Sequence, residues 1–232
     1  MNVNSASTLE YRNINDTSRS TTFSGAAAFA LNADLTVKNV SSKAALGNGI
    51  NLQRNLTGSG DMIVETYNNI TSGAINYGLG RVFLNADNSN WIGDVVVAKG
   101  TVALGGGIVT NSMGTGAFVI GTALDSFGAG IQFFPGGIAG STATYNNAIT
   151  VRTGPGFRSI QGSDNDRNIA LGGNITLEGS LNVDHKLNGF GTPRSMTLSG
   201  NISGDGGLDI TRSGGATDTF VSLVSRKNLF DG

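Results

Sequence analysis

The residues best suited to chemistry are sparse, and most are carboxylates. "GSDNDRN" (Gly162–Asn168) sets Asp164 and Asp166 two positions apart. Alternate aspartates offer the hard oxygen ligands that Ca²⁺ takes. The same letters describe a solvated Asx-rich turn, in which the side chains bond their own backbone, and the turn is the favoured reading. "GDGGLDIT" (Gly204–Thr211) has a calcium-nonapeptide flavour, Gly-Gly-x-Gly-x-Asp, but it stands singly and out of register. His185, the only histidine, follows Asp184, and serine is plentiful, so a Ser–His–Asp triad is open by arithmetic. No Gly-x-Ser-x-Gly elbow accompanies it, and an exposed turn pair is expected there. Glycoside cleavage needs two carboxylates close together. Glu65, Asp87, Asp94, Asp125, Asp164, Asp166 and Glu178 are the acids to consider, with Tyr67, Trp91 and Tyr145 as aromatics that could stack on sugars. No set completes a catalytic, cofactor-binding or metal-binding constellation, so the expectation is a non-enzymatic chain without a cofactor.

Composition narrows the elements that must position these groups. The chain has 232 residues, 38% hydrophobic, which is enough to bury a core. Charged residues are only 13%, about half the usual share. Glycine numbers 36 and asparagine 25; both tolerate positive φ and mark turns. Net charge is −1 with no basic run, so the positive stripe of a nucleic-acid site is missing. The absence of cysteine excludes disulfides, thiolate metal sites and a cysteine nucleophile. The N-terminus, "MNVNSASTLEYRN", does not read as a signal peptide, and no apolar run approaches the ~18 residues of a membrane helix.

Strand signals dominate. Short runs of Val, Leu, Ile and Thr are broken by Gly, Asn and Asp, and apolar residues alternate, as in Ile175, Leu177, Leu181 and Val183. A period of two argues for strands with one buried face. "NLTGSGDMIV" (Asn55–Val64) and "NISGDGGLDI" (Asn201–Ile210) are near copies 146 residues apart, and the offset holds without a gap from 29–64 to 175–210. Seven pairs are identical, among them Leu31/Leu177, Leu35/Leu181, Gly58/Gly204 and Gly60/Gly206. The matches fall on positions that set inward faces and turns. Such a chain suits a solenoid, whose coils each add short strands to those above and below. At about two dozen residues per coil, the chain makes about ten coils, a rod about 50 Å long at the strand spacing of ~4.8 Å. A β-sandwich or up-and-down barrel is the competing architecture.

The stretch "LTGSGDMIVETYNN…GRVFLNADNSNWIGDVVVAKGTVALGG" (Leu56–Gly106) resembles the autotransporter-associated β-strand repeat, also called the passenger-associated transport repeat. The pattern lies at Gly58, Gly60 and Met62, then Val82, Phe83 and Leu84, then Asn88, Asn90, Trp91 and Gly93, then Val95 to Val97, Gly100, Val102 and Leu104. The resemblance covers about four-fifths of the chain. It implies a right-handed single-stranded parallel β-helix from a bacterial surface or secreted protein, extracellular or anchored at the outer membrane through a C-terminal β-barrel translocator. That barrel has no counterpart here. It implies a structural stalk or adhesin passenger, with an extracellular ligand or host glycan as partner, no nucleic acid and no membrane insertion by this segment. The alternative is a polysaccharide-binding or polysaccharide-cleaving β-helix of the pectate-lyase or tailspike kind. The expected organisation is an irregular lead-in over 1–22 and a solenoid over 23–232. The second repeat copy stops before its Trp-bearing hairpin, so the array is expected to be truncated at the C-terminus.

Overall fold

A computed structural model of the chain describes residues 1–13, 20–41, 49–66, 81–105, 113–124, 126–134, 140–162, 167–185, 195–211, 220–224 and 228–229. Among the described residues there is no helix, and every strand pairs in parallel with strands of neighbouring coils. The result is an all-β solenoid, not a sandwich or barrel.

Each coil runs over three faces. Face one begins with Asn2–Val3, Phe29–Leu31 and Leu56–Gly58, and Trp91 bridges to Gly58. Further along, the same place in the coil, just ahead of face two, is held by Thr142–Tyr145, Asn168–Leu171, Ser195–Leu198 and Phe220–Leu223. Face two is the longest ladder, with nine levels: Ser7–Asn13, Leu35–Ser41, Met62–Thr66, the first part of Val95–Gly105, Phe118–Ile120, Ile149–Val151, Ile175–Leu177, Ile202–Ser203 and Asn228–Leu229. Face three stacks Ser20–Phe23, Gly49–Leu52, Arg81–Leu84, the second part of Val95–Gly105, Ala129–Phe134, Arg158–Gly162, Leu181–His185 and Leu208–Thr211. Coil length on face two ranges from 23 residues (Val95 to Phe118) to 33 (Met62 to Val95).

Alternation decides what faces inward. Val37, Val64, Val97, Ile120, Val151 and Leu177 form one buried file on face two. Val102, Ile131, Ile160 and Val183 form another on face three. Each such side chain contributes about 1.5–3 kcal/mol on leaving water. Because successive levels touch, the core is continuous along the axis. Outside face two, Glu10, Lys38, Glu65 and Lys99 lie in register with alternating sign. Lys38 Nζ is 3.2 Å and Lys99 Nζ 4.0 Å from Glu65 Oε2. These half-buried surface pairs add at most about 1 kcal/mol each, but a slip of register would set like charges together.

The corner before face two has its own ladder. The Asp34 carboxylate accepts the Asp61 N–H at 3.1 Å, Asp61 that of Asp94 at 2.8 Å, and Asp94 that of Ala117 at 2.7 Å. Asn174 does the same for Asn201 at 3.2 Å. Small-Asp-aliphatic and Gly-Asn-aliphatic triplets (Ala33–Leu35, Gly60–Met62, Gly93–Val95, Gly173–Ile175) therefore satisfy corner N–H groups that the strands leave without partners.

The near-duplicated decapeptides form the same local structure at different corners. "NLTGSGDMIV" turns from face one to face two, whereas "NISGDGGLDI" turns from face two to face three. In both copies the turn stacks on a partner 27 residues earlier, Phe29 under Leu56 and Ile175 under Ile202. Gly58 and Gly204 adopt φ of +95° and +115°, which only glycine takes readily. The N–H of Gly60 donates to the Leu31 carbonyl at 2.7 Å, and that of Gly206 to the Leu177 carbonyl at 2.9 Å. The repeating unit is thus a stacked pair of corners, not a whole number of coils.

Within residues 1–22, Ser7–Asn13 pairs with Leu35–Ser41 through seven positions and forms the first level of face two. Leu208 aligns with the core but is only partly buried, and Ile210 beside it is 41% exposed, because no described strand stacks beyond them on face three.

Candidate functional site

The corner between faces two and three varies in length, and this variation shapes the molecule's surface. Six residues (152–157) separate Val151 from Arg158, but only three (178–180) separate Leu177 from Leu181, and four (204–207) separate Ser203 from Leu208. The longer loop overhangs the two tight corners. The step between them is a groove of about 620 Å³, within the range of small-molecule sites.

Its chemistry is mixed. Arg152 Nη1 donates to Glu178 Oε1 at 2.7 Å, both side chains being part exposed. Asp205 and Asp209 are exposed on the opposite wall. Asn182 is buried, and its Nδ2 donates to Asp209 Oδ2 at 3.3 Å and to Thr211 Oγ1 at 3.1 Å. The exposed Gly207 adds bare backbone to the lining, and Pro155 and the half-buried Phe157 add apolar surface. Arg158, also buried, braces the overhang: its Nη1 donates to the Phe127 carbonyl at 3.0 Å and its Nη2 to the Thr122 carbonyl at 2.9 Å. The neighbouring corner between Ile120 and Ala129, which Arg158 reaches, carries Leu124, 96% exposed, and Phe127, 43% exposed.

The residues singled out from sequence are scattered. Asp164, Asp166, Asp125 and Tyr67 lie outside the described residues. Glu65 is engaged with Lys38 and Lys99, and Asp94 belongs to the corner ladder. Asp87 accepts the Ser89 N–H at 3.0 Å, a local Asx turn. Gly204–Thr211 is a corner and a face-three strand, with Asp205 and Asp209 on the groove. Of the acids considered for glycoside cleavage, Glu178 alone lines this groove. Trp91 is fully buried, its Nε1 donating to the Gly60 carbonyl at 2.9 Å, so its ring is closed to a sugar. His185 is the clearest correction. It is 2% exposed and in register with Gly162, where a Cβ would stand 2.4 Å from His185 Nδ1. It points inward while Asp184 points outward to accept from Gln161 Nε2 at 2.9 Å, so the two do not form an exposed turn pair.

Tyr145 is buried as well, packed on Phe133 with ring centroids 4.7 Å apart, and its hydroxyl has no hydrogen-bond partner among the described residues. Burial pushes its phenol up to about 12, with Arg167 pulling the other way. The unfolded chain loses this proton near pH 10, so between pH 10 and about 12 the folded state binds more protons than the unfolded one. This contribution is therefore whole below pH 10 and is lost as pH rises through the folded value, by roughly 2–3 kcal/mol. Tyr145→Phe is expected to remove that loss and to add about 1 kcal/mol at neutral pH by deleting an unsatisfied hydroxyl. Urea midpoints of both proteins at neutral and alkaline pH test this. A variant less stable at neutral pH would mean that the hydroxyl has a partner.

The fold and its groove define a parallel β-solenoid with an indented corner. No family model, curated protein or solved structure matches the chain.

Proposed function

We propose that this chain is a non-catalytic structural segment of a large bacterial surface or secreted protein, a rigid stalk or adhesin passenger built as a right-handed β-helix of about ten coils. The observation that carries this reading is the unbroken stack. Aliphatic files, corner carboxylate ladders and interstrand hydrogen bonds run through successive levels of face two, and side chains such as Asp61, Asp94 and Asn147 bond one coil to the next. In such a solenoid stability is roughly a sum of neighbour contacts, which suits a rod that carries other parts away from a cell. The autotransporter-like positions are compatible with this role. Gly58, Gly60 and Trp91 serve turns and core contacts.

The test is to raise antibodies against the purified chain, label intact cells of the source bacterium, and digest those cells with protease. Surface labelling lost on digestion is the expected result. A segment protected in intact cells and released only by lysis would overturn the reading.

A further inference from the structure

We propose that the groove at the corner of faces two and three binds a neutral, hydroxyl-rich saccharide. The inference goes beyond the stalk role and does not depend on it.

Three observations carry it. The first is shape. Pro155 and Phe157 line the cleft together with the exposed Gly207, and the cleft is open to solvent. A sugar ring entering it therefore borders both apolar side chains and bare backbone. The second is the kind of polar group. Carboxylates at Glu178, Asp205 and Asp209 accept from hydroxyls, while the Arg152 guanidinium, which has N–H groups beyond the one given to Glu178, donates to them. A vicinal diol uses both functions at once, with a carboxylate taking two O–H donors and a guanidinium serving the oxygen lone pairs.

The third observation is charge. The exposed cation, Arg152, is already matched by Glu178 at 2.7 Å, so an acidic polymer finds no uncompensated positive group on this wall and meets Asp205 and Asp209 opposite. Among the described residues no three acidic or histidine side chains converge closely enough to hold a metal ion, so these acids do not form a cation cage. A ligand without charge, able to donate and accept at once, is what the lining satisfies without leaving a buried charge unpaired.

Gly207 supplies the decisive variant. A Cβ there would meet only Ser180 Oγ at 3.4 Å, and its φ is not in the left-handed region. A large side chain at this position fills the groove without disturbing the corner. The full chain would be applied to an array of cello-, xylo-, manno- and laminari-oligosaccharides beside polygalacturonate, and hits titrated by calorimetry. Binding to one neutral series, with a Kd of about 1 mM or tighter, is expected. Gly207→Trp and Asp205→Ala should each weaken it at least tenfold while keeping the parent melting temperature. Three results would overturn the proposal: no neutral sugar bound, preference for polygalacturonate, or binding undiminished in a folded Gly207→Trp protein. If Gly207→Trp loses its melting transition, Asp205→Ala decides alone, since that side chain is exposed.

Discussion

Leu177→Asp is expected to abolish the cooperative unfolding transition of the chain near room temperature, or to bring its midpoint down by most of its range. Leu177 is fully buried at the end of a face-two strand, and its carbonyl accepts the Gly206 N–H from the level above. Removing the leucine forfeits about 2–5 kcal/mol of burial and packing. Placing a carboxyl in the vacated space, which lies in the aliphatic core, adds a desolvation cost of several kcal/mol. The total is comparable with the 5–15 kcal/mol that holds a typical domain together. Leu208→Asp is the internal control. It faces the same core but is only partly buried at the last level of face three, so its expected cost is about 1–2 kcal/mol. Urea unfolding followed by circular dichroism separates the two. An unchanged midpoint for Leu177→Asp would refute the inward placement of this file. Equal losses at both positions would show that face three continues beyond Leu208.

The solenoid was legible because its two requirements are written locally. Alternation in Ile175, Leu177, Leu181 and Val183 marks inward faces, and Gly-x-Gly before Met62 and Leu208 marks corners. Both need only a few neighbouring residues to be read. What sequence could not supply was register between coils. Coil lengths of 23 and 33 residues stand next to each other, because corners absorb insertions without disturbing the strands. An offset of 146 was therefore read as equivalent places, when it carries the motif from one corner to the next.

The candidate site depends on that missing register. The groove exists because corners of six, three and four residues stack in succession, and Arg152, Glu178 and Asp205 are separated by 26 or more positions in the chain. No motif marks such a juxtaposition. His185 was different, for its signal was present. Leu181 and Val183 already face inward, so the next alternate residue must too, and Gly162 in the adjoining strand makes room for the ring. Polarity and the neighbouring Asp184 were weighed above periodicity, and periodicity decides the side on which a strand residue falls.

Gly93→Ala tests the corner stack in the same spirit as Leu177→Asp tests the core. Gly60, Gly93 and Gly116 lie over one another ahead of face two. A Cβ on Gly93 would stand 2.0 Å from the Gly60 carbonyl oxygen and 2.7 Å from Trp91 Nε1. Those two atoms bond to each other at 2.9 Å, so one added methyl must part the coils and break the bond that anchors the buried indole. Overpacking of this kind costs about 1–3 kcal/mol, and the orphaned indole N–H about 1–3 more. At the level of Asn147 the column tolerates a side chain because its amide donates to the carbonyls of Gly114 and Gly116, at 3.1 and 2.6 Å, replacing close packing with hydrogen bonds that alanine cannot make. Gly207→Ala serves as the comparison, since its Cβ meets nothing nearer than 3.4 Å and restricts the unfolded chain, for a change between zero and about +1 kcal/mol. Denaturation midpoints should fall sharply for the first variant and hold or rise for the second. If both fall alike, glycine is needed in these corners for backbone freedom rather than for the approach of one coil to the next.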